Sequence, residues 1–328
     1  MLLLLLVFCP PTPAEEEVVG GGAEGREDLA AALRGGAGAP LCFGKPVNTG
    51  MGDRLALILS VAALARALDR RVWVAWHTLP PGVEHFRKYV WETVAEGVTL
   101  PAHVSVLAGQ NASQILAGCP PTSQIWRQDP AQVYSPTQIG ADGIPQLAHA
   151  IWRVDGEELV SNGAFAAAYR EVGEEFHVKA LDWPLNFLER YVVLHLRGTD
   201  KRAAPGRRFC TETVLEHLLE CELNVVAVSD DAEMLDGFLE RHPRLLTPPH
   251  HHPSERARLP KLEMELRDLS LLTRASAILQ HSPEGYSAFG VVAAMAKRIL
   301  LLNTDLHPED EDGVPNKIFH FHRRGGSP

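Results

Sequence analysis

The chain has 328 residues, enough for one large domain or two ordinary ones, and its 45% hydrophobic and 22% charged residues exclude a disordered or collagen-like chain. A formal net charge of −10 argues against general nucleic-acid binding, because phosphate backbones attract basic surfaces.

The first nine residues, MLLLLLVFC, are apolar and are followed by PPTPA. A helix needs about 20 such residues to span a bilayer, so no transmembrane segment is evident here. The run matches the core of a secretory signal over residues 1–14, cut after Ala14 with Thr12 at the third position before the cut. The expectation is a protein of the secretory pathway, in the ER or Golgi lumen or secreted, where the sequon Asn111-Ala112-Ser113 would carry a glycan. Residues 15–40, rich in Pro, Gly, Ala and Glu, read as a flexible linker. None of the five cysteines forms a CxxC pair, so a structural zinc site is not expected. Without Cys9, four remain. Two disulfides could form, or the thiols could be free and buried, and Cys210 and Cys221 are poorly spaced to pair with each other across a predicted helix.

Strand and helix signals then alternate. Leu41 to Val47 predicts a strand, Gly50-Met51-Gly52-Asp53 a turn, Arg54 to Leu68 a helix and Arg71 to Trp76 a buried strand. Residues 77–155 read as irregular and Pro-rich, with a weak strand near Val104 to Leu107, before a helix over Gly163 to Phe176. Pro184 and Asn186 mark a boundary between a first half, 41–185, and a second half, 186–328. In the second half, strands are predicted at Tyr191 to Leu196, Asn224 to Val228, Ala277 to Gln280 and Arg298 to Leu302. Helices are predicted at Thr211 to Cys221, Ala232 to Arg241, Lys261 to Ala275 and Ser287 to Lys297. Apolar strands alternating with helices predict an α/β protein with parallel sheets covered on both faces. In such folds ligands sit beyond the carboxyl ends of the strands.

The residues at those ends carry the chemistry. After the first strand, Gly50, Gly52, Asp53 and Arg54 form a glycine-containing turn into a helix, whose N-terminus favours an anion; the plain alternative is an ordinary turn capped by Asp53. After the strand Val192 to Leu196 comes Arg197, whose fork of donors suits a pyrophosphate, with His195 on the same face of the strand. From Arg197 to Arg208 there are five cations and one acid, Asp200, in an otherwise acidic chain. The strand ending at Val228 delivers Ser229, Asp230 and Asp231, which suit a base or ribose, or else cap the next helix. The strand ending at Gln280 leads through His281 to Ser282, Gly285, Tyr286 and Ser287, a second helix entry able to hold phosphate oxygens. His250-His251-His252 and His320-Phe321-His322 read as solvated runs, and no metal site is expected.

In this order, His195-Leu196-Arg197-Gly198-Thr199-Asp200, Val228-Ser229-Asp230-Asp231, Asp268-Leu269-Ser270-Leu271-Leu272 and His281 to Phe289 resemble the donor half of the α1,6-, α1,2- and protein O-fucosyltransferases. The Gly50 to Leu55 turn is similar to the glycine-rich first loop of that group, with Asp53 where the group usually shows Asn and a single Arg197 where the α1,6 enzymes show two arginines. The resemblance covers roughly residues 41–76 and 188–303. It implies a GT-B-like fold, two Rossmann-like parallel-sheet domains facing across a cleft, and an inverting, metal-independent transfer of fucose from GDP-fucose to a glycan or glycoprotein hydroxyl. By that likeness Arg197 is catalytic on the donor phosphates; Asp53, the only acid on the opposing glycine-rich loop, is the candidate base. Gly50, Gly52, Arg54, His195, Thr199, Asp200, Lys201, Ser229, Asp230, Asp231, Ser282, Gly285, Tyr286 and Ser287 line the donor site, and Asp230 or Asp231 lies near guanine and ribose. The alternatives are a non-catalytic nucleotide- or glycan-binding module, an enzyme using another nucleotide sugar, and a metal hydrolase built on the histidine runs.

Overall fold

The first sheet is three parallel strands in the order β1-β2-β4: β1 (Leu41–Gly44), β2 (Val72–Trp76) and β4 (Val104–Ala108). The computed structural model describes residues 40–44, 50–76, 91–108, 153–154, 157–158, 160, 162–179, 190–198, 208–282, 288–297, 299–306 and 318–319. The signal segment, the linker before Pro40, Asn111, Thr199, Asp200, Lys201, Gly285, Tyr286, Ser287 and His320-Phe321-His322 lie outside the described residues.

Helix α1 (Met51–Ala67) joins β1 to β2 and is apolar on every side, with 14 of its 17 residues buried, as a helix enclosed on all sides must be. It begins three residues before the predicted start. Gly50 is its N-cap at φ −62° and ψ 168°, an extended conformation open to any residue, so the expected glycine-dependent turn is the helix start itself. Asp53 lies in the first turn instead of capping it. Within the stretch expected to be irregular, α2 (Trp91–Gly97) is a helix that buries Val94 and runs into β3 (Val98–Thr99). β5 (Arg153–Val154) and β6 (Glu157–Glu158) form a small hairpin, and β7 (His177–Val178) pairs antiparallel with β3 after α3 (Asn162–Glu175).

The second sheet has the order β10-β8-β11-β12-β14, with β8 (Val192–Leu196), β10 (Val225–Ser229), β11 (Ala277–His281) and β12 (Leu300–Asn303) parallel and β14 (Ile318–Phe319) antiparallel at the edge. A short ribbon pairs β9 (Arg208–Phe209) with β13 (Asp305–Leu306). The helices are α4 (Thr211–Glu220), α5 (Ala232–Arg241), α6 (Pro253–Arg256), α7 (Lys261–Leu272) and α8 (Ala288–Lys297), with a 3₁₀ turn at Pro249–His251. The chain is therefore α/β with two parallel sheets, as its alternating pattern predicts.

Side chains alternate across the second sheet. Val192, Leu194 and Leu196 join Leu215, Leu235 and Phe238 on the α4–α5 face. Val193, Val226, Val228 and Ile278 join α7 and α8 in a larger core that continues through α1 and α3 to the first sheet. Helices α1, α3 and α8 pack against one another there. Lys297 holds the end of α3, donating from Nζ to the carbonyls of Gly173 at 2.9 Å and Phe176 at 2.6 Å. At Gly173 α3 and α8 approach tightly: a Cβ there would sit 2.6 Å from the Ala296 carbonyl oxygen and 2.9 Å from its Cα. Backbone cannot swing away as a side chain can. Gly173→Ala is expected to cost about 1–3 kcal/mol, lowering Tm by several degrees in a thermal melt; an unchanged Tm would show that the two helices slide apart freely.

Of the cysteines, Cys42 is disulfide-bonded to a partner outside the described residues, and Cys210 and Cys221 are free thiols. A second disulfide therefore does not involve Cys210 or Cys221.

Candidate functional site

The register of β8 with its two neighbours builds the site. Leu196 stands opposite Ser229 on β10 and opposite His281 on β11. The next residue of each strand, Arg197, Asp230 and Ser282, therefore falls at one carboxyl edge of the sheet, beside Ser229. The Arg197 N–H donates to the His281 carbonyl at 3.0 Å, which fixes the backbone from which the guanidinium extends. Ser282 is buried.

Three side chains at and just after the end of β10 tie this edge together. Ser229 Oγ donates to the Leu196 carbonyl at 2.9 Å and accepts from the Asp231 N–H at 2.9 Å. Asp230 Oδ1 accepts from the Gly198 N–H at 2.9 Å. Asp231 Oδ1 accepts from the Met234 N–H at 3.1 Å and is the N-cap of α5. Asp231 is thus a helix cap, so of the two acids read as flanking base and ribose this one already has a structural duty. Gly198 has no room for a side chain: a Cβ would lie 2.8 Å from Asp231 Oδ2 and 2.8 Å from Met234 Cε.

Beneath the edge lies a rung of buried polar groups on the face covered by α7 and α8. His195 on β8 stands beside Gln280 on β11, which stands beside Asn303 on β12. His195 Nδ1 and both amide atoms of Gln280 are buried without a hydrogen-bond partner, although an unpaired buried polar group costs roughly 1–3 kcal/mol. Burial pushes the His195 imidazole down to about 4; Asp230 and Asp268 oppose that shift, and Arg197 and His251 reinforce it.

The histidine run departs most from expectation. His250 and His251 are not solvated; each is only 3% exposed, and only His252 faces solvent. Both point Nε2 at the same oxygen, Asp268 Oδ1, at 2.8 Å. Burial would push the Asp268 carboxyl up, but His251 and His250 outweigh it and hold the group at about 2. These three residues are the one His, Cys, Asp and Glu cluster among the described residues that brings ligand atoms within 4.8 Å of one another. Their N···O separations are nevertheless those of hydrogen bonds, since a tetrahedral ion with bonds of about 2.0–2.2 Å holds its ligand atoms roughly 3.4 Å apart.

On the first sheet, α1 delivers Asp53 in its first turn and Arg54 as a buried cation. The Arg54 guanidinium lies 4.8 Å above the ring of Trp76, the last residue of β2, and Trp76 packs on Trp91 with ring centroids 5.1 Å apart. In the sequence Asp268 falls within a motif that gives it no role, His250 and His251 read as solvated, and Gln280 reads only as the end of a strand. The signal available for His250 and His251 was Pro248-Pro249 ahead of them, which fixes the turn that carries them inward.

No family model matches the chain, and no curated protein matches it. Among solved structures it is similar to the NodZ α-1,6-fucosyltransferase from Bradyrhizobium, in a crystal soaked with GDP-fucose, at 15% identity over 85% of this chain and 98% of that one, with a TM-score of 0.48. It is similar to POFUT1 in complex with GDP at 13% identity over 81% of this chain and 98% of that one, with a TM-score of 0.40. It is also similar to an arginine-to-lysine mutant of Arabidopsis thaliana FUT1 in complex with GDP, at 16% identity over 87% of this chain and 74% of that one, with a TM-score of 0.37. Likeness this distant concerns the course of the chain, and chemistry has to be argued from the site.

Proposed function

We propose that this protein is a glycosyltransferase that transfers fucose, with inversion, from GDP-fucose to a hydroxyl of a glycan or glycoprotein. The observation that carries the reading is the single carboxyl edge at which three neighbouring parallel strands present Arg197, Asp230 and Ser282, above a rung of buried polar groups. Its place beyond the strand ends suits a nucleotide, and the ordered motifs of the sequence support a GDP-sugar.

In this reading the pyrophosphate lies against Arg197, whose paired N–H groups match two phosphate oxygens. The acceptor oxygen attacks the anomeric carbon from the face opposite the leaving group. The bond from that carbon to the β-phosphate oxygen breaks, its electron pair leaves with GDP, and the acceptor proton passes to a base, for which Asp53 is the candidate. Asp268 is added to the donor set. Its Oδ1 is taken by the two histidines, and in this reading Oδ2 is the acceptor for the adjacent N1–H and N2–H donors of guanine. The donor site belongs to residues 186–328 and the acceptor side to 41–185. No metal is required for the donor. The Cys42 disulfide supports an oxidising compartment, the lumen of the secretory pathway or beyond.

The direct test is a thermal-shift panel of GDP, UDP, CMP and ADP. A ligand that binds only the folded state stabilises it by about 2.7 kcal/mol at one hundred times its Kd. GDP alone is expected to raise Tm, and slow hydrolysis of GDP-fucose is expected with it. GDP binding without turnover of any GDP-sugar would make the protein a binding module, and no response to any of the four would remove the donor site.

A further inference from the structure

We propose that His281 is a positioning residue, which fastens the chain on both sides of the stretch between β8 and α4 and so fixes where Arg197 meets the donor phosphates. The inference rests on the donor site proposed above and assigns His281, Thr211 and Thr304, none of which belongs to the donor set.

Topology brings His281 to the place where a ligand lies. The order β10-β8-β11-β12 runs outward in both directions from the gap between β8 and β11: β8 leads through α4 to β10, and β11 leads through α8 to β12. Helix α4 packs on one face of the sheet and α8 on the other, so the two connections part above that gap. Ligands of open α/β sheets bind at such a switch point. His281 ends β11 there, opposite Leu196 of β8.

The backbone and the ring of His281 each hold one side of the stretch. Where the chain leaves β8, the His281 carbonyl accepts from the Arg197 N–H at 3.0 Å. Where it returns, Phe209 stacks on the imidazole with ring centroids 4.0 Å apart, and Thr211 Oγ1 lies 2.7 Å from Nδ1. Between these points the sequence carries Lys201, Arg202 and Arg207 against Asp200. The hydrogen bonds form a directed chain. The Gln280 carbonyl can only accept, so Thr304 Oγ1 gives its one proton there, at 3.1 Å. Thr211 then donates to Thr304 at 2.5 Å, and the His281 Nδ1–H donates to Thr211. Both threonines are buried, so water does not compete for these bonds. A threonine at a helix start ordinarily caps its own helix. Thr211 follows the N-cap Cys210, and α4 has no side-chain cap; the hydroxyl turns to the end of the sheet instead.

The consequence is for Arg197. The imidazole is held by its stack on Phe209, by the edge of Phe238 at 5.7 Å and by Thr211, so it cannot pivot. With both sides of the stretch fastened to one fixed residue, the Arg197 guanidinium extends from a defined place. A misplacement of about 1 Å in a group that meets the substrate can lower the rate about 10²-fold.

The experiment measures Kd for GDP and GMP by calorimetry, and the rate of GDP-fucose hydrolysis, in the full-length protein. GMP lacks the second phosphate, so the ratio of the two affinities reads the pyrophosphate contact apart from the base. The wild type is expected to prefer GDP about tenfold or more, the scale of one hydrogen bond to a charged group. Thr211→Val keeps the shape and loses the hydroxyl. It is expected to lower the ratio about threefold or more and hydrolysis about tenfold or more, with GMP affinity little changed. Thr211→Ser keeps a hydroxyl and should behave as the wild type. In Arg197→Ala, where the guanidinium is already gone, Thr211→Val should lower neither quantity further. If Thr211→Val proves unfolded by circular dichroism, His281→Phe, which keeps the stacked ring and loses the Nδ1–H, carries the same comparison. A folded variant with ratio and rate unchanged overturns the inference and leaves the donor site standing. So does an equal loss with and without the Arg197 guanidinium, the result that a merely structural role gives. A wild type that binds neither nucleotide removes the donor site itself.

Discussion

Replacing Arg197 with alanine is expected to lower donor-dependent turnover by about 10²- to 10³-fold, the scale of losing one preorganised charge-stabilising donor. The residue follows the central strand β8, and its N–H is fixed on the His281 carbonyl at 3.0 Å. Its guanidinium is thereby carried on rigid backbone and needs little reorganisation as the leaving pyrophosphate gains charge. Lysine at this position should rescue only part of the loss, because it keeps the charge and loses the paired N–H groups. The pairing of β8 is carried by backbone groups and the core by apolar side chains, so the melting temperature should move far less than turnover. Turnover with GDP-fucose and Tm measured on one Arg197→Ala preparation decide the matter. Full activity in a stable variant sinks the assignment, and a large fall in Tm with GDP affinity intact makes Arg197 a structural residue.

How far such a site is legible in the sequence depends on what each residue answers to. The strands of the second sheet were legible because runs such as Val192 to Leu196 are buried on both faces and read as continuous apolar stretches, and the helix Ala232–Arg241 lies where its pattern puts it. Once strand ends are known, parallel register brings Arg197, Asp230 and Ser282 to one edge without further information. The start of α1 was misplaced because Gly50-Met51-Gly52-Asp53 carries turn-type residues, while burial of Met51 and Gly52 overrides that local preference. The helix Trp91–Gly97 was hidden by its seven-residue length, too short for a period to repeat. His250 and His251 were hidden for a different reason. Their burial depends on Asp268, 18 and 17 residues further on, and local polarity says nothing of a partner on another helix.

Stability is expected to fall steeply as pH drops from about 6.5 to 4, and to fall because of histidines. Burial pushes both His195 and His281 down to about 4 from an ordinary value near 6.5. His281 stacks on Phe209 at 4.0 Å between centroids, meets the edge of Phe238 at 5.7 Å, and shares a 2.7 Å hydrogen bond through Nδ1 with Thr211 Oγ1. The sign follows from which state takes the proton first. Above 6.5 both rings are neutral in the folded and unfolded chain and contribute no pH dependence. Below 6.5 the unfolded chain binds protons that the folded protein refuses, so stability is lost from there down, and the loss is complete once pH is below the folded value near 4. A depression of that size corresponds to about 3 kcal/mol per histidine, large beside a typical total of roughly 5–15 kcal/mol. The Asp268 carboxyl titrates elsewhere. It is held at about 2, so its contribution is intact above the ordinary carboxylate range and is lost only as pH falls through that value. Urea unfolding at pH 7.5, 6.5, 5.5 and 4.5 should therefore give equal stabilities at the upper end and a descending series below 6.5. His281→Gln, which keeps a hydrogen-bonding group for Thr211 and does not titrate, should remove about half of the slope while lowering stability at pH 7.5 through lost stacking. A flat profile between 6.5 and 4.5, or an unchanged slope in the glutamine variant, would mean that these rings meet water or a counter-charge in the folded protein.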